Sequence, residues 1–182
     1  MRVRLLGFNE VVMGKTNDRL KEEYSFVQEK FKAKEEFYLK YLLAFAFKGQ
    51  RNFETKIPEV IRIMKEVGEN GGGKESRMMN FEKLTNLDGV GFPTASTILH
   101  FLFPDSYAII DQNVLIGIEK EEKINLGKLE GGQSNDDLKS NVLLYERYID
   151  FLEEKLRNSD LESLRKTEEF YFEKGRLKND VN

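Results

Sequence analysis

Apolar residues recur at helix spacing along most of this chain. Leu20, Tyr24, Val27 and Phe31 fall on one helical face. Phe37 to Phe47 is apolar nearly all round, and such a helix belongs in the centre of a bundle. Pro58 suits the first turn of a helix over residues 59–67. A shorter helix is expected over 80–87, ended by glycine, and another over 94–103, stopped by Pro104-Asp105. Asp111 can cap a helix running through Ile118. Val142, Tyr145, Ile149, Leu152 and Leu156 mark an amphipathic helix, and residues 161–172 a last one. Between them, 119–137 is charged and glycine-dotted without a clean period, either a loop or an extended hairpin. Strand signals are weak throughout, so the fold class expected is all-α.

Composition narrows the chemistry. The chain has 182 residues, which suits one domain, or one domain with an appended piece, with a sizeable core, and a net charge of −3. With no Cys, it has no disulfide, cysteine nucleophile, Cys-type zinc site or iron–sulfur cluster. A single His leaves little material for a His-based metal site or a Ser-His-Asp triad. Met1 to Phe8 is too short for a signal-peptide core, and the apolar run at 39–47 is interrupted by Lys40, so a cytoplasmic protein is expected. Charge is uneven. Residues 1–80 carry net +4 (16 basic, 12 acidic), 81–118 net −3 (one basic, four acidic) and 119–182 net −4 (12 basic, 16 acidic). Any nucleic-acid contact must therefore use a local face and not bulk charge.

Several motifs carry little. Gly68, Gly73 and Lys74 match a phosphate-binding loop, but Glu75 stands where Ser or Thr should hold magnesium and a helix precedes it where a strand should. A flexible helix–helix connector is the better reading of 68–73. His100 lies on a helix with no second ligand nearby and reads as an ordinary packed histidine. The aromatics of 37–53 read as core before they read as a base-stacking platform.

Two segments carry more. Leu87-Asp88-Gly89-Val90-Gly91-Phe92-Pro93-Thr94-Ala95-Ser96 joins two helices through a Gly-Val-Gly turn. Its glycines allow positive φ and close backbone approach, and Val90 can tuck between the helices. The free N–H groups opening the second helix can bind a phosphate oxygen without side-chain charge. Downstream, the apolar run Tyr107-Ala108-Ile109-Ile110 delivers Asp111 to a helix start. There a carboxylate caps the helix. A helix N-terminus favours an ionised carboxylate, and an ionised carboxylate can stabilise a developing sugar cation or orient a water.

Together, residues 84–118 resemble the helix-hairpin-helix superfamily of DNA glycosylases, the endonuclease III and adenine-mismatch glycosylase group. In that family a Gly-Val-Gly hairpin is followed by a Thr-Ala pair and, 20 residues after the second glycine, by the catalytic aspartate; Gly91 to Asp111 is also 20. The resemblance implies a two-lobed helical bundle. Residues from about 35 to 118 would hold the central helix and hairpin, and the N-terminal segment would pack with residues 136–182 in the other lobe. It implies DNA, duplex and locally contacted, as partner, with Gly89, Val90, Gly91 and Thr94 at a phosphate, often through a bound monovalent cation. Gln50 falls near a glutamine that wedges into the base stack. The target nucleotide would be flipped out and Asp111 would assist cleavage of its glycosidic bond. Such a protein would be nucleoid-associated.

The departures from the family are specific. Bifunctional members carry a Lys immediately before the Thr-Ala pair; here Pro93 stands there, which excludes Schiff-base lyase chemistry by that route. The interval between central helix and hairpin is also short. A monofunctional glycosylase is therefore weighed against a non-catalytic DNA-binding module in which Asp111 only caps a helix, and against a protein-binding helical scaffold.

Overall fold

The computed structural model describes residues 22, 24–29, 57–132 and 134–176. The chain divides into two compact units, Met1–Thr55 and Lys56–Asn182. In the first unit, residues 24–29 are helical, with Tyr24 and Val27 buried and Phe26 exposed, as their spacing predicts. The expected central helix at 37–47 and Gln50 lie outside the described residues.

Every regular element among the described residues is a helix, so this is an all-α structure. The second unit runs through α1 (Ile57–Asn70), a short 3-10 turn (Lys74–Ser76), α2 (Arg77–Thr85), α3 (Phe92–Leu102), α4 (Gln112–Glu122), α5 (Asn135–Arg157) and α6 (Leu164–Arg176). In α1, Val60, Met64 and Val67 bury one stripe, with Pro58 in the first turn. In α3, residues 95–101 are all buried, so this helix is enclosed by the others. The 23-residue α5 begins seven residues earlier than its apolar stripe predicts. Ser134 and Asp137 form a reciprocal capping box that fixes its start.

Aromatic packing organises the core. Phe81 of α2 stacks on Phe92 of α3 with ring centroids 4.1 Å apart. Tyr145 of α5 meets Phe81 edge-on at 4.9 Å. Helices α4 and α6 approach through glycines. A Cβ on Gly117 would lie 1.8 Å from the Tyr171 carbonyl oxygen, and one on Gly175 would lie 1.8 Å from that of Asn113. Only a residue without a side chain permits this backbone-to-backbone contact.

Two expectations about loops change. The segment read as a flexible connector is a hydrogen-bonded turn: α1 continues through Gly68 to Asn70, and the Gly71 carbonyl accepts from Ser76 Oγ (3.1 Å) and Asn80 Nδ2 (2.9 Å). Gly68 is therefore helical, and no phosphate-cradling loop forms there. For 119–137, helix α4 continues to Glu122 and ends at Lys123 in the left-handed region (φ 60°). The described residues from 123 to 132 have no strand pairing, so the extended-hairpin alternative falls. The Asn141 side chain takes a strand partner's place, accepting from Glu130 N (2.8 Å) and donating to Glu130 O (3.1 Å).

Candidate functional site

The turn between α2 and α3 is built as the residues suggest, with one refinement. Gly89 adopts φ 78°, a conformation that favours glycine. Gly91 does not: its φ is −77°, and a Cβ there would meet only Pro93 Cδ, at 3.9 Å. Among the described residues, neither strain nor crowding requires glycine at 91. Val90 is fully buried, and its N–H donates to the Leu87 carbonyl at 3.0 Å. Gly91 is the N-cap of α3 and supplies no side-chain cap, while Pro93 occupies the first turn. Gly91 and Pro93 are exposed and Thr94 half-buried.

A cleft of about 160 Å³ opens at this helix start. Gly91, Phe92 and Pro93 form one wall; Glu130, Gly131 and Gly132, held by Asn141, form the other. Asp111 does not line it.

Asp111 is reached by an interior strand that has no sheet. Residues 107–110 lie outside every helix and pair in no sheet, and Tyr107, Ala108 and Ile110 are fully buried. Buried peptide groups must be paired, and here side chains from three helices pair them. His100 Nδ1, from α3, donates to the Tyr107 carbonyl at 2.7 Å. The Tyr145 hydroxyl, from α5, accepts from Ala108 N (2.9 Å) and donates to Ala108 O (2.8 Å). Ile109 N donates to Glu168 Oε2 of α6 at 3.0 Å, while the Tyr148 hydroxyl donates to Ile109 O at 2.8 Å. Ile110 N donates to Ser96 Oγ at 3.2 Å, and Ser96 Oγ donates to the Pro93 carbonyl at 2.8 Å.

At the end of this strand Asp111 is the half-buried N-cap of α4. Its Oδ1 accepts from Val114 N at 2.9 Å, and Oδ2 faces Asn113 Nδ2 at 3.4 Å. Sequence reasoning placed the carboxylate and its cap correctly. It missed the groups that hold the strand, because they sit on other helices, 7 to 14 residues upstream for His100 and Ser96 and 37 to 59 downstream for Tyr145, Tyr148 and Glu168.

The electrostatics of that shell follow from burial. His100 is pushed down to about 4 by desolvation, against the opposing hydrogen bond to Tyr107, so it is neutral at neutral pH. The packed histidine is a core residue that serves one carbonyl. Glu168, only 2% exposed, is pushed up to about 7 by burial, which outweighs its ion pair with Arg165. The Tyr145 and Tyr148 hydroxyls are pushed well above the usual tyrosine range by burial and stay protonated donors. Glu168 occupies the buried phase of α6 with Leu164, Tyr171 and Gly175, and an acid on that stripe was the sequence signal for it.

Among the described residues, no helix is long and apolar enough to cross a membrane. No protein-family model matches the chain, and comparison with curated proteins and with solved structures gives no match.

Proposed function

We propose that this protein binds DNA through a helix-hairpin-helix motif formed by α2, its following turn and α3, and that Asp111 cleaves the glycosidic bond of a flipped modified base. The arrangement of Ser96 carries the reading. Its hydroxyl links the start of α3, the phosphate-facing end in this reading, to the residue before Asp111. A duplex docked on the turn would thus sit in fixed register with the carboxylate. Gly91 adds support. Among the described residues nothing requires its missing side chain, which suits a main chain approached closely by a phosphate.

In this mechanism the free N–H groups at the start of α3 hold a phosphate oxygen. Main-chain oxygens of the turn at Gly89 and Gly91 would hold the monovalent cation that the family resemblance implies, and its charge would supply attraction for a phosphate. The nucleotide leaves the stack at a cost of about a few kcal/mol. Asp111, an acceptor of two N–H groups at a helix N-terminus, stabilises positive charge on the sugar as the base departs and orients the attacking water. Pro93 provides no amine for a Schiff base, so the product is an abasic site without strand scission.

A second reading has its own observation. Asp111 Oδ1 caps α4 through Val114 N and Oδ2 meets the Asn113 side chain, an arrangement that a non-catalytic module would also need. Wild type and Asp111→Asn, incubated with duplexes each carrying one lesion or mismatch, separate the two. Alkali-dependent breaks from wild type alone support the glycosylase. Intact salt-sensitive binding with no breaks over a broad panel supports the DNA-binding module. Absence of any salt-dependent DNA affinity overturns both and leaves a protein-binding scaffold.

A further inference from the structure

Resting on the glycosylase reading, we infer that Glu168 is the positioning residue for Asp111: it grips the Ile109 peptide and shares one electrostatic site with the Asp111 carboxylate. Glu168 is buried to 2% exposure on α6, yet one of its oxygens is spent on the main chain of a distant segment. That segment is the strand ending in Asp111. The Ile109 peptide is held from both sides, its N–H by Glu168 Oε2 at 3.0 Å and its carbonyl by the Tyr148 hydroxyl at 2.8 Å. Two residues on, the chain turns into α4 and presents Asp111. The orientation of the carboxylate is therefore set partly by how tightly Ile109 is held.

The charges around Glu168 come from each neighbouring element. Arg165, one turn earlier on α6, pairs with its other oxygen. Asp111 at the start of α4 opposes its ionisation. Tyr145 and Tyr148 of α5 face it as neutral hydroxyls, and His100 of α3, also neutral, faces Arg165. Burial leaves Glu168 divided between its two charge states near neutral pH, so a modest change in pH alters both its grip on Ile109 and the field at Asp111. An ionised acceptor holds the N–H more strongly than a neutral one.

The test is a carboxyl-carbon NMR titration of wild type and Glu168→Gln, with the Asp111 signal assigned from Asp111→Asn. The wild-type Asp111 signal is expected to shift at the Glu168 midpoint, near 7, and this shift is expected to disappear in Glu168→Gln. Base release, on any substrate found, is expected to rise in kcat through that pH. In Glu168→Gln kcat should fall by on the order of ten- to a hundredfold with KM unchanged, and the rise should vanish. A wild-type Asp111 signal that ignores the Glu168 midpoint overturns the inference. So does a Glu168→Gln protein of altered stability with an unchanged kcat pH profile, since that is a purely structural role. If no substrate releases a base, the glycosylase reading fails while the titration still decides the coupling. If Glu168→Gln does not fold, the wild-type titration decides alone.

Discussion

The Ser96 hydroxyl accepts the Ile110 N–H at 3.2 Å, and the two residues lie at the meeting of the turn-bearing helix and the interior strand. One buried oxygen thereby ties a helix start to a helix cap contributed by a different segment. Ser96→Ala leaves the Ile110 N–H buried without this acceptor. The expected cost is about 1–3 kcal/mol, read from urea denaturation midpoints. In the proposed function DNA affinity changes little, because the turn itself is intact, while base release falls.

Asp111 has a cap role and a proposed chemical role, and two substitutions divide them. Asp111→Ala should lose about 1 kcal/mol of stability, whereas Asp111→Asn retains a cap oxygen and stays within a few tenths. Thermal unfolding of both variants checks the cap. Equal loss of base release in both, despite unequal stability, assigns the chemistry to the carboxylate.

The α4–α6 crossing tolerates no added atom. Gly117→Ala or Gly175→Ala places a methyl on a carbonyl oxygen of the other helix, at 1.8 Å before relaxation. Helices must separate, and losses of about 3 kcal/mol or more are expected. Gly68→Ala is the control: it is exposed in α1, with nothing among the described residues within 4 Å of the added carbon. That change should stabilise by about 0.5–1 kcal/mol through helix propensity.

His100 makes the fold acid-sensitive. Its folded value of about 4 lies below the ordinary 6.5, so the unfolded chain binds the extra proton first. Stability contributed by the neutral ring is present above 6.5 and is lost as pH falls toward 4. The loss is on the order of 3 kcal/mol. His100→Gln, which can still donate to the Tyr107 carbonyl, should flatten this limb in unfolding measured from pH 7 to 4.

Glu168 has the opposite sign. Its folded value of about 7 lies above the ordinary 4.5, so the folded state binds the extra proton. Its contribution is fully present below 4.5 and is lost as pH rises through about 7, by on the order of a few kcal/mol. Relative to wild type, Glu168→Gln should gain stability steadily across that window, read from paired denaturation curves. The two windows overlap between 4.5 and 6.5, where the His100 and Glu168 slopes oppose each other, so the wild type should look flatter there than either variant.

The sequence alone determined what depends on neighbours a few residues apart. Helix spacing, together with caps, a first-turn proline and stop signals, placed six of the described helices, their ends wrong by up to seven residues where a cap or turn outweighed the apolar stripe. The Gly-Val-Gly turn was legible because positive φ at Gly89 and burial of Val90 are local demands. Asp111 was legible as a cap because capping involves only residues 111–114. The tertiary structure decided the rest. No local signal says that the strand at 107–110 is satisfied by side chains in place of a sheet, since its partners Ser96, His100, Tyr145, Tyr148 and Glu168 come from three other helices. Gly117 and Gly175 look like helix-weakening residues until α4 and α6 are brought into contact. Burying a peptide group or closing a backbone contact is a demand of the folded interior, and only folding says which distant side chain, or which missing one, meets it.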